Sequence, residues 1–197
     1  MHARRYRTAI HPPRLNPKRP VLFLDIDGVL NNADHMLRPG RPDLPPEPAR
    51  SHDFDPESIE ALNAIVKAAR PYVVLSSTWR LMYSLGWMLK HMRSQGYQGP
   101  LHGRTCDDFL VYALSDPPDY RHANQRRPRV DDSGRECWSS HRGDQIQRWL
   151  DEAEHGGPVA ILDDDGDMAG LTHRWVGTSF QTGLGPEHVE RVVDLLR

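Results

Sequence analysis

Short apolar runs alternate with longer stretches in which apolar residues recur every three or four positions. VLFLDI (21–26) is almost continuously apolar, as a strand buried on both faces of a parallel sheet must be. YVVLSS (72–77) and PVAILD (158–163) have the same form. Between the first two runs, Asp55 as N-cap and Pro56 at the first helical position open a helix with Ile59, Leu62, Val66 and Ala69 on one face. Leu81, Leu85, Met88 and Met92 predict one helix after the second run, its methionines in the core, followed by a short strand around Leu101. Ile146, Trp149, Leu150 and Ala153 predict a further helix that ends before Gly156-Gly157-Pro158. A fifth strand is predicted at 174–178, then a helix opened by Pro186 with Val189, Val192, Val193 and Leu196 inward.

Strand and helix alternating in this way predict an α/β fold. Its expected form is a doubly wound, mainly parallel, Rossmann-like sheet with right-handed crossovers and helices on both faces. Two stretches break the alternation. Residues 31–54 contain RPGRPDLPPEP, and residues 106–140 are rich in Pro, Asp and Arg, so both read as loop or lid insertions rather than core, in place of a folded cap.

Length and charge narrow the picture. A chain of 197 residues suits one core, read as a domain over 21–197. Residues 1–20 carry Arg4, Arg5, Arg7, Arg14, Lys18 and Arg19 without an acid, and read as a flexible basic arm able to touch polyanions or simply to solubilise. Cys106 and Cys137 lack CxxC spacing, which supports neither a disulfide framework nor a zinc site and points to a reducing cytoplasm. No apolar run reaches the roughly 18 residues of a membrane span, and no signal-peptide pattern opens the chain. His91, His102, His122, His141, His155 and His173 share no HxxxH or HExxH spacing, which argues against a zinc hydrolase.

Ligands of open parallel sheets sit beyond the carboxyl ends of the strands, and those positions are polar here. The runs end in Asp25-Ile26-Asp27-Gly28, Ser76-Ser77-Thr78 and Asp163-Asp164-Asp165. Side chains two apart on an extended segment share a side, so Asp25 and Asp27 can face one site. Carboxylates gathered from separate strands repel unless a cation joins them, and an all-oxygen set suits Mg²⁺. Gly28 permits a sharp turn beside the site. Arg80 lies near enough to the second strand end to meet a substrate phosphate, although a surface position on a helix fits it equally. Trp79 and Trp87 could stack on a base, with core packing the commoner use.

These motifs, with Arg142 opening a later helix, resemble the four motifs of haloacid dehalogenase (HAD) superfamily phosphatases from about Val21 onward. LSSTWR, RGDQIQRWL and ILDDDGDM are similar to the HAD-like domains of bacterial and phage nucleic-acid repair proteins of the Swiss Army Knife RNA repair type. The resemblance implies a Mg²⁺-dependent phosphohydrolase with Asp25 as nucleophile and Asp27 as acid and base. Ser76 and Arg142 would offset phosphoryl charge, and Ser77, Arg80 and Gly28 would line the substrate. The Asp25 side chain, the Asp27 carbonyl and Asp163 or Asp164 would hold the metal, with Asp167 a further candidate. The third motif commonly offers Lys where Arg142 stands, and arginine can bind a phosphate bidentately.

The expected substrate is a phosphorylated nucleic-acid end or a nucleotide, and a small phosphorylated metabolite is the alternative. A receiver-like phospho-acceptor module would carry its acidic pair first and its acceptor Asp later, the reverse of the order here. A nucleic-acid-binding module without turnover would rely on the basic arm. A dehalogenase needs the first Asp but not Asp27.

Overall fold

Parallel pairing needs strands that can be covered from above and below, and the central runs meet that condition. The computed structural model describes residue 11 and residues 15–37, 52–105 and 142–197, together with the backbone of 129–130 and 136–137. Strands β1 (Val21–Leu24) and β2 (Tyr72–Leu75) are buried at every position, as is β6 (Val159–Asp163). With β3 (Gly103–Arg104) and β7 (Trp175–Gly177) they form one parallel sheet in the order β3-β2-β1-β6-β7. The order reverses between β1 and β6, where an open α/β sheet parts to admit a ligand.

Alternation along each strand divides the core. Leu22, Leu24, Val73, Leu75, Ala160 and Leu162 point to one face, where they meet α2 (Pro56–Ala69), α4 (Leu85–Ser94) and α6 (Pro186–Leu195). Phe23, Val74 and Ile161 point to the other. There they meet Ile146, Trp149 and Leu150 of α5 (Arg142–Glu152) and Leu171 of a 3-10 turn (Ala169–Arg174). Trp149 sets its ring edge-on to Phe23 at 5.3 Å. Asp55 caps α2 by accepting from the Glu57 N–H, and Arg70 in a left-handed conformation ends it. No helix among the described residues is long and apolar enough to cross a membrane.

Three expectations need correction. The predicted single helix over 81–92 is two, α3 (Trp79–Met82) and α4, because Tyr83 is extended and the Ser84 hydroxyl caps the new start at the Trp87 N–H. Met88 and Met92 are core, but Met82 is left exposed. The 31–54 stretch is not wholly a loop: α1 (Ala33–Met36) lies in it, and Asn32, His35 and Phe54 are buried. Asn32 ties its two ends together, capping α1 at the His35 N–H (2.8 Å) and donating to Asp55 at 2.8 Å. Within 106–140, the backbone pairs β4 (Arg129–Val130) antiparallel with β5 (Glu136–Cys137), and the rest of that insertion lies outside the described residues.

The basic arm is described only at residue 11 and residues 15–20. Its described part is docked: the Arg19 guanidinium lies 4.3 Å from the Tyr72 ring centre and donates to the Arg70 carbonyl at 2.8 Å, while Leu15 packs on the α5 side of the core. Arg4, Arg5, Arg7 and Arg14 lie outside the described residues.

Candidate active site

Register brings the motifs together. Leu24 pairs with Leu75 on one side and Leu162 on the other, so Asp25, Ser76 and Asp163 occupy the next row across three adjacent strands. Strand neighbours lie about 4.8 Å apart, so the three side chains share one ledge. By alternation the row points to the face that holds Phe23 and Ile161, which is the face α5 covers. Arg142, the first residue of α5, therefore arrives directly over it: its Nη2 lies 3.4 Å from Asp25 Oδ2, and its Nε lies 3.0 Å from Asp163 Oδ2.

Glycine makes that placement possible. Gly143 donates its N–H to the Asp167 carbonyl at 3.0 Å, and a Cβ on it would overlap the Met168 carbonyl and the Ala169 nitrogen. The helix start can approach the turn after β6 this closely only without a side chain there. Gly143→Ala should push α5 outward and cost about 1–3 kcal/mol of stability. Thermal unfolding would measure that loss.

The acidic side is crowded. Asp25, Asp163 and Asp164 each offer an oxygen within 4.8 Å of the others. Gly28, at φ +67°, leaves room for the Asp164 carboxylate, which a Cβ would overlap. Burial and the Asp25 charge push the Asp163 carboxyl up to about 7, against the pull of Arg142. Asp164 is also raised, by burial first and by Asp25 next. Asp25 Oδ1 is buried with no hydrogen-bond partner among the described residues. Carboxylates held at mutual cost, one oxygen still free, form a donor set that a hard divalent cation fits. Asp167 lies outside this group and contributes its carbonyl to Gly143.

Asp27 faces a different set of partners. Its Oδ1 accepts from Asn31 Nδ2 at 2.8 Å and its Oδ2 from the Trp79 indole N–H at 3.0 Å. Thr178 steadies the same turn, its hydroxyl donating to the Gly28 carbonyl at 2.7 Å.

The serines separate. Ser76 Oγ is buried with no hydrogen-bond partner among the described residues, whereas Ser77 Oγ accepts the Trp79 backbone N–H at 3.3 Å. Arg80 is not on the surface. It is 2% exposed, and its guanidinium donates to the carbonyls of Ser76 (2.9 Å) and Ser77 (2.7 Å) and to Gln145 Oε1 (2.6 Å). It thereby ties the end of β2 to the first turns of α5. Asn31 and Thr178 carry no motif-level signal, and Gly143 and Gln145 stand within RGDQIQRWL without a role read from it. Only spacing could have pointed to them: Asn31 lies one helical turn beyond Asp27, and Gly143 directly follows Arg142.

A family described as the HAD domain in Swiss Army Knife RNA repair proteins matches residues 21–189. No curated protein and no solved structure matches the chain.

Proposed function

The chain belongs to the family of HAD domains found in Swiss Army Knife RNA repair proteins, and from that premise we propose that it is a Mg²⁺-dependent phosphatase of phosphorylated RNA ends. The observation that carries this reading is the Asp25 carboxylate, with one oxygen paired to Arg142 and the other buried without a hydrogen bond among the described residues, beside Asp163 and Asp164.

In the proposed reaction an Asp25 oxygen attacks phosphorus in line as the bond to the leaving oxygen breaks, and an aspartyl-phosphate forms. Asp27 gives its proton to that leaving oxygen. In the second step Asp27 takes a proton from water, which attacks phosphorus and frees the Asp25 carboxylate. Arg142 and the Ser76 hydroxyl would donate to the phosphoryl oxygens, where charge develops. Arg80 would act at a distance, by holding the Ser76 and Ser77 backbone. The Asp25, Asp163 and Asp164 side chains, with the Asp27 carbonyl, would hold Mg²⁺, which when bound offsets the carboxylate charges and polarises the phosphoryl group.

The test compares phosphate release from 5′- and 3′-phosphorylated RNA oligonucleotides with release from sugar and nucleoside phosphates, with and without Mg²⁺. The expected result is Mg²⁺-dependent release with higher kcat/KM on an RNA end. Equal or better turnover of sugar phosphates would transfer the reading to a small-metabolite phosphatase.

A further inference from the structure

The Trp79 side chain is used neither as core filling alone nor as a platform for a base. It is 3% exposed, so no ring face is open to a nucleotide. Its ring is wedged between Phe54, Tyr83 and His52, with centres 5.8, 5.6 and 4.9 Å away. A ring so enclosed cannot turn, and its one polar atom is aimed at Asp27 Oδ2. Asn31 approaches the other oxygen and also accepts the Gly28 N–H at 3.2 Å, which fixes the amide's own orientation.

We infer that Trp79, with Asn31, is a positioning residue that sets the plane of the Asp27 carboxyl for proton transfer to the leaving group. The inference rests on the phosphatase reading and deepens it. Each carboxyl oxygen has two lone-pair directions, so a donor on each fixes the plane and still leaves a direction free for the travelling proton. An indole N–H suits this task because it donates only and carries no charge. In the first chemical step the Asp25 oxygen–phosphorus bond forms, the phosphorus–leaving oxygen bond breaks, and the Asp27 proton moves to that oxygen.

The consequence is a dependence on leaving group. Poor leaving groups such as a ribose hydroxyl need the acid, and a nitrophenolate does not. Trp79→Phe should lower kcat/KM roughly ten- to a hundredfold on alkyl phosphates and less on 4-nitrophenyl phosphate. The slope of log(kcat/KM) against leaving-group pKa therefore steepens. In an Asp27→Asn background the same change should add less than about twofold, because the residue it acts through is gone. An equal loss on every ester, or an undiminished loss in the Asp27→Asn background, would overturn the inference.

A metal-free readout covers the case in which Trp79→Phe does not fold. The Trp79 indole N–H resonance of ¹⁵N-labelled protein should shift and exchange faster in Asp27→Ala, and an unmoved resonance would overturn the contact. Failure of the phosphatase reading looks different: wild-type protein releases phosphate from no ester while the indole resonance still responds to Asp27→Ala. That result would overturn the catalytic use of the contact as well.

Discussion

Asp25→Asn is expected to lower Mg²⁺-dependent phosphate release from 4-nitrophenyl phosphate by at least about 10³-fold, equivalent to about 4 kcal/mol of transition-state stabilisation. The amide keeps the shape of the carboxylate but loses the charge that makes it a nucleophile. It also removes one member of the repelling set formed with Asp163 and Asp164. Stability should therefore stay level or rise as activity vanishes, since Arg142 keeps its ion pair with Asp163 at 3.0 Å. That opposition separates a chemical role from a folding one. Full activity in the variant would remove Asp25 from the mechanism, and a fall in unfolding temperature matching the activity loss would make its role structural.

What could be read from the sequence follows from what has a local cause. The three apolar runs had to be central strands, and their polar ends then had to lie along one edge of the sheet. The register of the strands then sets Asp25, Ser76 and Asp163 in one row. Arg142 could be read from its position at a helix start, but not its closeness, which depends on Gly143 meeting the Met168 backbone across sequence-distant segments. The surface position open to Arg80 fails because a cation on the first turn of a helix looks solvated when read alone. Its burial depends on carbonyls at the end of β2 and on Gln145, whose arrival needs the whole crossover to α5. The split between α3 and α4 was hidden by an apolar period that runs on through Ser84, although Ser84 is itself a capping residue. Trp79 resisted for a deeper reason: its apolar surface is the part that periodicity registers, while its contact with Asp27 is made by one atom.

The crowded carboxylates also make stability depend on pH and metal in a direction opposite to that of most carboxylates. Burial and Asp25 raise Asp163 to about 7 in the folded state. An unfolded chain releases that proton near pH 4. Between about pH 4 and pH 7 the native state therefore binds more protons than the unfolded state, and metal-free stability should fall with rising pH by up to about 1.4 kcal/mol per unit before levelling above about pH 7. Mg²⁺ competes for the same oxygens, so its stabilisation should grow across that window, reaching about 2.7 kcal/mol at a hundredfold excess over its dissociation constant. Asp163→Asn isolates the contribution of the carboxylate cluster, because subtracting its unfolding curves from those of the wild type removes the titrating groups that do not interact with Asp163. The difference should decline from pH 4 to pH 7 without metal, and the variant should gain far less from Mg²⁺. A flat difference, or equal Mg²⁺ stabilisation in both proteins, would mean that Asp163 neither carries the strain nor holds the ion, leaving Arg142 as its working partner.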